Sequence, residues 1–125
     1  MGIVQEYRCP SCRKTWKIFA GHGRVHCALN RVLPAFPADI QAKIREDVRQ
    51  EQEPLFQFHY RPASCRQCQN IVAVPVLRFL KNGHTYSTKC PECSSVPELL
   101  EEGSQNVCPI CEKEKLICKE TGHWD

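Results

Sequence analysis

Eight of the ten cysteines in this 125-residue chain stand in pairs two residues apart: Cys9 with Cys12, Cys65 with Cys68, Cys90 with Cys93, and Cys108 with Cys111. A Cys-x-x-Cys turn lets both sulfurs face one way, and two such turns set tip to tip supply the four thiolates of a tetrahedral zinc site. Disulfide frameworks scatter their cysteines so that bridges join distant loops, so this pairing speaks for metal chemistry in a reducing compartment. Three of the pairs carry proline in the second position (Pro10, Pro91 and Pro109), which fixes one dihedral of the turn. Two ions are expected, one per quartet. Zinc is favoured, and iron fits the same tetrathiolate set.

Four pairs can be joined three ways. Sequential pairing, Cys9/Cys12 with Cys65/Cys68 and Cys90/Cys93 with Cys108/Cys111, is favoured because it gives the second site a compact spacer of 14 residues. Nested pairing instead joins Cys65/Cys68 to Cys90/Cys93 and lets the outermost pairs meet. A different arrangement uses every cysteine and binds three ions, adding Cys118 and His123 to Cys108 and Cys111, and Cys27 with His22 or His26 to Cys9 and Cys12. The plainer reading makes Cys27 and Cys118 small core residues and the three histidines surface residues, and it is kept ahead.

The knuckles and the strands beside them resemble the zinc-ribbon superfamily, in which Cys-Pro-x-Cys-Gly turns sit on the tips of β-hairpins. The resemblance implies structural metal sites held by the eight paired cysteines. It departs at one position. The residue after each pair is Arg13, Gln69, Ser94 or Glu112, never the glycine that a left-handed turn prefers.

The elements that must position these turns can be read from periodicity. "IVQEYR" and "KTWKIFA" flank the first knuckle as strands, with Trp16 and Ile18 on one face by alternation. Residues 39–53 form a surface helix with Ile40, Ile44 and Val48 on one stripe, ion pairs at Lys43 with Asp47 and Arg49 with Glu53, and Pro54 as its stop. "LFQFHY" and "IVAVPVLRFL" are strands around the second knuckle. Pro75 cannot donate a ladder hydrogen bond and belongs at an edge or a bulge. Asn82-Gly83 makes a hairpin turn that folds residues 84–89 back. "SSVPELLEEG" suits one or two helical turns capped by Ser95 and ended by Gly103, and the tail can form one short strand. The expected fold is a small metal-stabilised α+β structure. It has two zinc-ribbon-like β units, 1–83 with the helix inserted at about 39–53, and 84–125 as a compact second knuckle unit.

The core looks thin, since Ile, Leu, Val and Phe make up only 29 of 125 residues, and metal cross-links are expected to supply the missing stability. Formal charge is +3, but eight thiolates and two divalent ions change it by −8 and +4, to about −1. Net charge therefore makes no case for nucleic acid. Its distribution says more: residues 1–34 carry six Lys or Arg against one acid and 61–93 carry five against one, whereas 94–125 carry three against seven.

No His-x-Glu deaminase element, phosphate loop, His-Glu-x-x-His or Gly-x-Ser-x-Gly is present, so catalysis is not expected. The preferred function is a zinc-binding module that contacts nucleic acid through Arg13, Lys14, Trp16 and Lys17 at the first knuckle and Arg66 at the second. The alternative is a protein-interaction module using the acidic tail and the helix. A further alternative is thiol or metal handling, or a redox role. The N-terminus has no signal-like apolar run, so a cytoplasmic protein with no membrane or small-molecule partner is expected.

Overall fold

The computed structural model describes residues 2–22, 28–101 and 106–124. Strands β1 (Gly2–Arg8) and β2 (Thr15–Ala20) form a hairpin whose tip is the first knuckle. A short helix α1 (Leu29–Val32), a 3₁₀ turn (Leu33–Ala35) and helix α2 (Ala38–Asp47) follow. Strands β3 (Phe56–Cys65) and β4 (Asn70–Phe79) form a second hairpin around the second knuckle, β5 (Thr85–Ser87) and β6 (Glu98–Leu99) border it, and β7 (Ile117–Trp124) ends the chain. They make two antiparallel sheets, β2-β1-β7 and β5-β4-β3-β6. No helix among the described residues is long and apolar enough to cross a membrane.

β4 is buried on both faces, which is why it reads as an unbroken apolar run. Ile71 faces the β2-β1-β7 sheet, where Tyr7, Trp16, Ile18 and Ala20 bury their side chains. Leu77 and Phe79 on the same side pack with Phe58 against Val32, Phe36 and Ile44 of the helical segment. Val72, Val74 and Val76 cover the other side with Ala63 and Cys65. Pro75 lies opposite Tyr60. Tyr60 spends its own N–H and C=O on Gly21 instead, so Pro75 faces away from β3, just beyond Val76, where β5 pairing stops. The missing donor falls at a local edge with no bulge, as the sequence requires.

The apolar stripe of α2 is as read, with Ile44 fully buried and Ile40 and Val48 packed around it. The helix is shorter than the 39–53 expected, ending at Asp47, after which Val48 leaves helical geometry at φ −107°, ψ 10°. Its end is fixed by a clamp rather than by Pro54. The Asp47 carboxylate accepts hydrogen bonds from Asn82 Nδ2 (2.9 Å) and the Tyr86 hydroxyl (2.8 Å) and pairs with His84 Nδ1 (2.9 Å), all from the β4–β5 hairpin. Neither expected ion pair is the one found: Asp47 takes these donors, and Arg49 pairs with Glu46. A carboxylate in the last turn of a helix opposes the helix dipole, and these donors offset that.

Burial raises the Asp47 pKa, but the hydrogen bonds from Tyr86, His84 and Asn82 outweigh it and leave the group below its ordinary value of 3.8. A carboxyl whose folded pKa is depressed stabilises the fold above its unfolded pKa and loses that contribution as pH falls through the folded value. Asp47→Ala is expected to cost about 2–3 kcal/mol at neutral pH. The gap between wild type and variant should narrow in urea titrations as pH drops below 3.8.

Residues 95–101 do not form the expected helix. Ser95 closes the third knuckle by accepting the Cys90 N–H (2.7 Å), and Glu98 and Leu99 pair as strand β6 with Ser64 and Ala63. Leu100 then donates to Pro62 O (3.0 Å) and is buried. Pairing on an open sheet edge and burial of Leu100 outweigh a local capping signal worth about 1 kcal/mol. The Gly103 terminator lies outside the described residues. The Asn82-Gly83 hairpin is as expected, with Gly83 at φ +73° and β5 returning beside β4. The tail strand is longer than expected. β7 pairs along the whole of β1, with one register shift at Val4/Gln5. Trp124 at its end donates Nε1 to Ile3 O (3.1 Å) and Ala20 O (2.9 Å), stitching all three strands, and a Cβ on Gly2 would lie inside its ring.

Candidate metal centres

Each knuckle follows from one backbone device. The N–H of Arg13 returns to Cys9 O, that of Ser94 to Cys90 O, and that of Glu112 to Cys108 O, each at 2.9 Å. The residues with positive φ outside glycine, among those described, are Arg13 (59°), Gln69 (55°), Ser94 (61°) and Glu112 (57°). These are the four positions where zinc ribbons carry glycine. The left-handed turn is therefore made without glycine, at a strain of roughly 1–2 kcal/mol per position that the closed knuckle must overcome. Gln69→Gly exchanges this strain for unfolded-chain entropy and is expected to be near neutral. Gln69→Val places a β-branched side chain at the same φ and is expected to lose about 1–2 kcal/mol in denaturant titration of the metal-loaded protein.

The turns meet in two quartets: Cys9, Cys12, Cys108 and Cys111 in one, Cys65, Cys68, Cys90 and Cys93 in the other, with all sulfurs of a quartet within 4.8 Å of one another. The pairing is nested, not sequential. β7 lies beside β1 and carries the 108–111 turn to the tip of the first hairpin, while β5 returns along β4 and delivers Cys90 to the tip of the second. The compact 14-residue spacer that favoured sequential pairing is instead used by β6 to cross the edge of β3. Cys118 and His123 stand exposed on β7 outside both quartets, so the three-ion arrangement is not formed there, and Cys118 is not the core residue expected. His22 is exposed and in neither quartet, and Cys27 and His26 lie outside the described residues.

The geometry fits a four-coordinate ion. Sulfurs bound at about 2.3 Å in a tetrahedron are about 3.8 Å apart. The distances between turns are Cys9 to Cys111 3.8 Å, Cys12 to Cys108 3.9 Å, Cys68 to Cys90 3.6 Å and Cys65 to Cys93 3.3 Å. A disulfide needs about 2.05 Å, and these thiols are free. Backbone donors support the sulfurs: Cys12 N–H reaches Cys9 Sγ at 3.3 Å and Ile110 N–H reaches Cys108 Sγ at 3.4 Å.

Four thiolates this close repel unless a cation sits among them. In each quartet two thiols are pushed up and another is drawn toward the thiolate; burial raises Cys108 in one quartet and Cys90 in the other. Burial with the bonds from Cys9, Cys111 and Cys108 pushes Cys12 up to about 12, and the bond to Cys65 with burial does the same to Cys68. The Ser95 hydroxyl and N–H bring Cys93 down to about 6, and the N–H groups of Glu114 and Lys113 do so for Cys111. Both quartets are thus compatible with structural metal binding.

The expected nucleic-acid contacts divide. Arg13, Lys14 and Lys17 are exposed at the first knuckle and along β2. Trp16 is 7% exposed, packs against Cys9 and Cys108, and donates Nε1 to Asn70 Oδ1 at 3.2 Å, so its ring offers no stacking surface. Arg66 faces two carboxylates, Glu98 and Glu112, each at 3.9 Å.

Residues that the sequence reading passed over complete the outer face of the β2-β1-β7 sheet. Lys17 sits across from Glu6, which sits across from Lys119; Thr15, Arg8 and Ile117 form the next row. Phe19, 52% exposed, stands at the other end with its ring 6.4 Å from Trp124. The alternation that turns Trp16 and Ile18 inward also turns Lys17 and Phe19 outward, so Phe19 was within reach of sequence reasoning. Lys119 was not, because nothing local says that β7 pairs with β1. No protein family, curated protein or solved structure matches the chain.

Proposed function

We propose that this protein is a zinc-stabilised module that binds single-stranded nucleic acid on the outer face of its three-stranded sheet. Each quartet holds one Zn²⁺ in a structural role. Cys9, Cys65, Cys90 and Cys108 are buried to 2% exposure or less, which disfavours ion exchange and thiol chemistry.

The observation that carries the binding reading is the composition of one sheet face. Arg8, Lys17 and Lys119 lie on neighbouring strands, Arg13 and Lys14 extend them at the knuckle, and Phe19 with Trp124 flanks them. Glu6 is the one carboxylate in those rows. Phosphates pair with such cations and bases stack on exposed aromatic rings.

The test is fluorescence anisotropy with a labelled single-stranded oligonucleotide. Binding should fall steeply between 50 and 200 mM salt, in the manner of about three to five phosphate contacts. Combined Lys17→Glu and Lys119→Glu should abolish it while elemental analysis still finds two zinc ions. No salt-sensitive binding by the wild type would remove the reading, and iron in the elemental analysis would replace zinc.

A second reading rests on a different surface. A groove of about 510 Å³ between the two centres is lined by Glu98, Glu101, Glu112 and Arg66. Its charge suits a basic peptide, and that reading predicts peptide binding that survives substitution of the sheet face.

A further inference from the structure

Gly21 and Tyr60 join the end of β2 to β3 by two backbone hydrogen bonds, Gly21 N–H to Tyr60 O at 2.8 Å and Tyr60 N–H to Gly21 O at 2.7 Å. This is the hydrogen-bonded pair of an antiparallel bridge between the two sheets. The antiparallel register then sets the next residue, His22, across from His59. That is the non-hydrogen-bonded position, where cross-strand side chains approach most closely. Their rings stand 6.5 Å apart at 39° to one another. His22 is exposed and His59 half-buried, so the pair opens to solvent at the seam. Neither belongs to a cysteine quartet.

Imidazole suits late first-row divalent ions, and two of them ligating one ion bring their nitrogens to about 2.0–2.1 Å from it. Rings whose centres stand 6.5 Å apart must draw closer to share one ion, a movement that rotation of the exposed His22 side chain about its χ angles allows. We propose that His22 and His59 form a separate two-imidazole site for such an ion, Ni²⁺ or Zn²⁺, which clasps the seam between the sheets. Water completes the coordination. The site is therefore weaker than the thiolate centres, and acid releases its ion because protons compete for the same nitrogens.

The experiment uses the full chain with both quartets already loaded, titrated with Ni²⁺ at neutral pH by calorimetry. One further ion should bind per chain, and acidification should reverse it. His22→Gln and His59→Gln should each abolish that uptake, whereas His123→Gln should keep it. Thermal melting gives a second readout, since Ni²⁺ should raise the melting temperature of the wild type and not of either Gln variant. His22→Gln changes an exposed side chain, so this variant decides the matter if His59→Gln folds poorly. Absence of saturable uptake by the wild type, uptake that survives His22→Gln, or equal loss in His123→Gln overturns the proposal.

Discussion

A chain carrying both Cys9→Ala and Cys108→Ala is expected to hold one metal ion tightly, the same number as either single variant, because both cysteines belong to one quartet. Cys9→Ala combined with Cys90→Ala should hold none, since it breaks both quartets. Native mass spectrometry after removal of weakly bound metal reads the count directly. Sequential pairing would give zero for both double variants, and joining the first pair to the third would give zero and one, the reverse of the expectation here. The consequences for folding should be large. Binding of a structural zinc ion contributes an apparent ~10–16 kcal/mol in small zinc domains, as much as the whole stability of an ordinary domain. Loss of either ion should therefore appear as loss of the cooperative melting transition around that quartet. Strong chelation of the wild type should unfold both, which an ion-exchanging site would not require.

The metal chemistry was legible because it is local. A Cys-x-x-Cys turn is fixed within six residues, and the position that must be left-handed can be named in advance, although Arg13, Gln69, Ser94 and Glu112 do not advertise it. The inward faces of β2 and α2 were legible for the same reason, through Trp16 and Ile18 and through Ile40, Ile44 and Val48. What escaped was set by distant partners. Helix α2 ends at Asp47 because a hairpin more than 30 residues later supplies the donors for its carboxylate. Ser95 to Leu100 reads as a capped helical turn, yet Glu98 and Leu99 within it pair as an edge strand because β3 offers unpaired backbone groups there. The pairing of the quartets escaped for that reason too. It depends on β7 choosing β1 as its neighbour, and spacer length carries no information about that choice.

Trp16→Ala is expected to destabilise the protein by about 3–5 kcal/mol, since it empties a large buried volume beside Cys9 and Cys108. It also strips the partner from Asn70, whose side-chain amide links Trp16 to Glu92 of the other centre, accepting from Trp16 at 3.2 Å and donating to Glu92 at 3.0 Å. Lower affinity at both metal centres should accompany the loss. Trp16→Phe keeps most of the volume and should cost less, with oligonucleotide binding unchanged once the protein is metal-saturated. Phe19→Ala separates the two roles from the other side. It removes an exposed ring whose aromatic contact with Trp124 is worth about 0.5–1.5 kcal/mol, so the fold should persist. Binding of single-stranded nucleic acid should weaken by about 1–3 kcal/mol, the value of one stacked base. Urea denaturation and anisotropy on the same three variants distinguish a buried support from a contact surface. Weakened binding in Trp16→Phe at unchanged stability would return the indole to the interface and move the proposed surface from the outer face of the sheet to the knuckle itself.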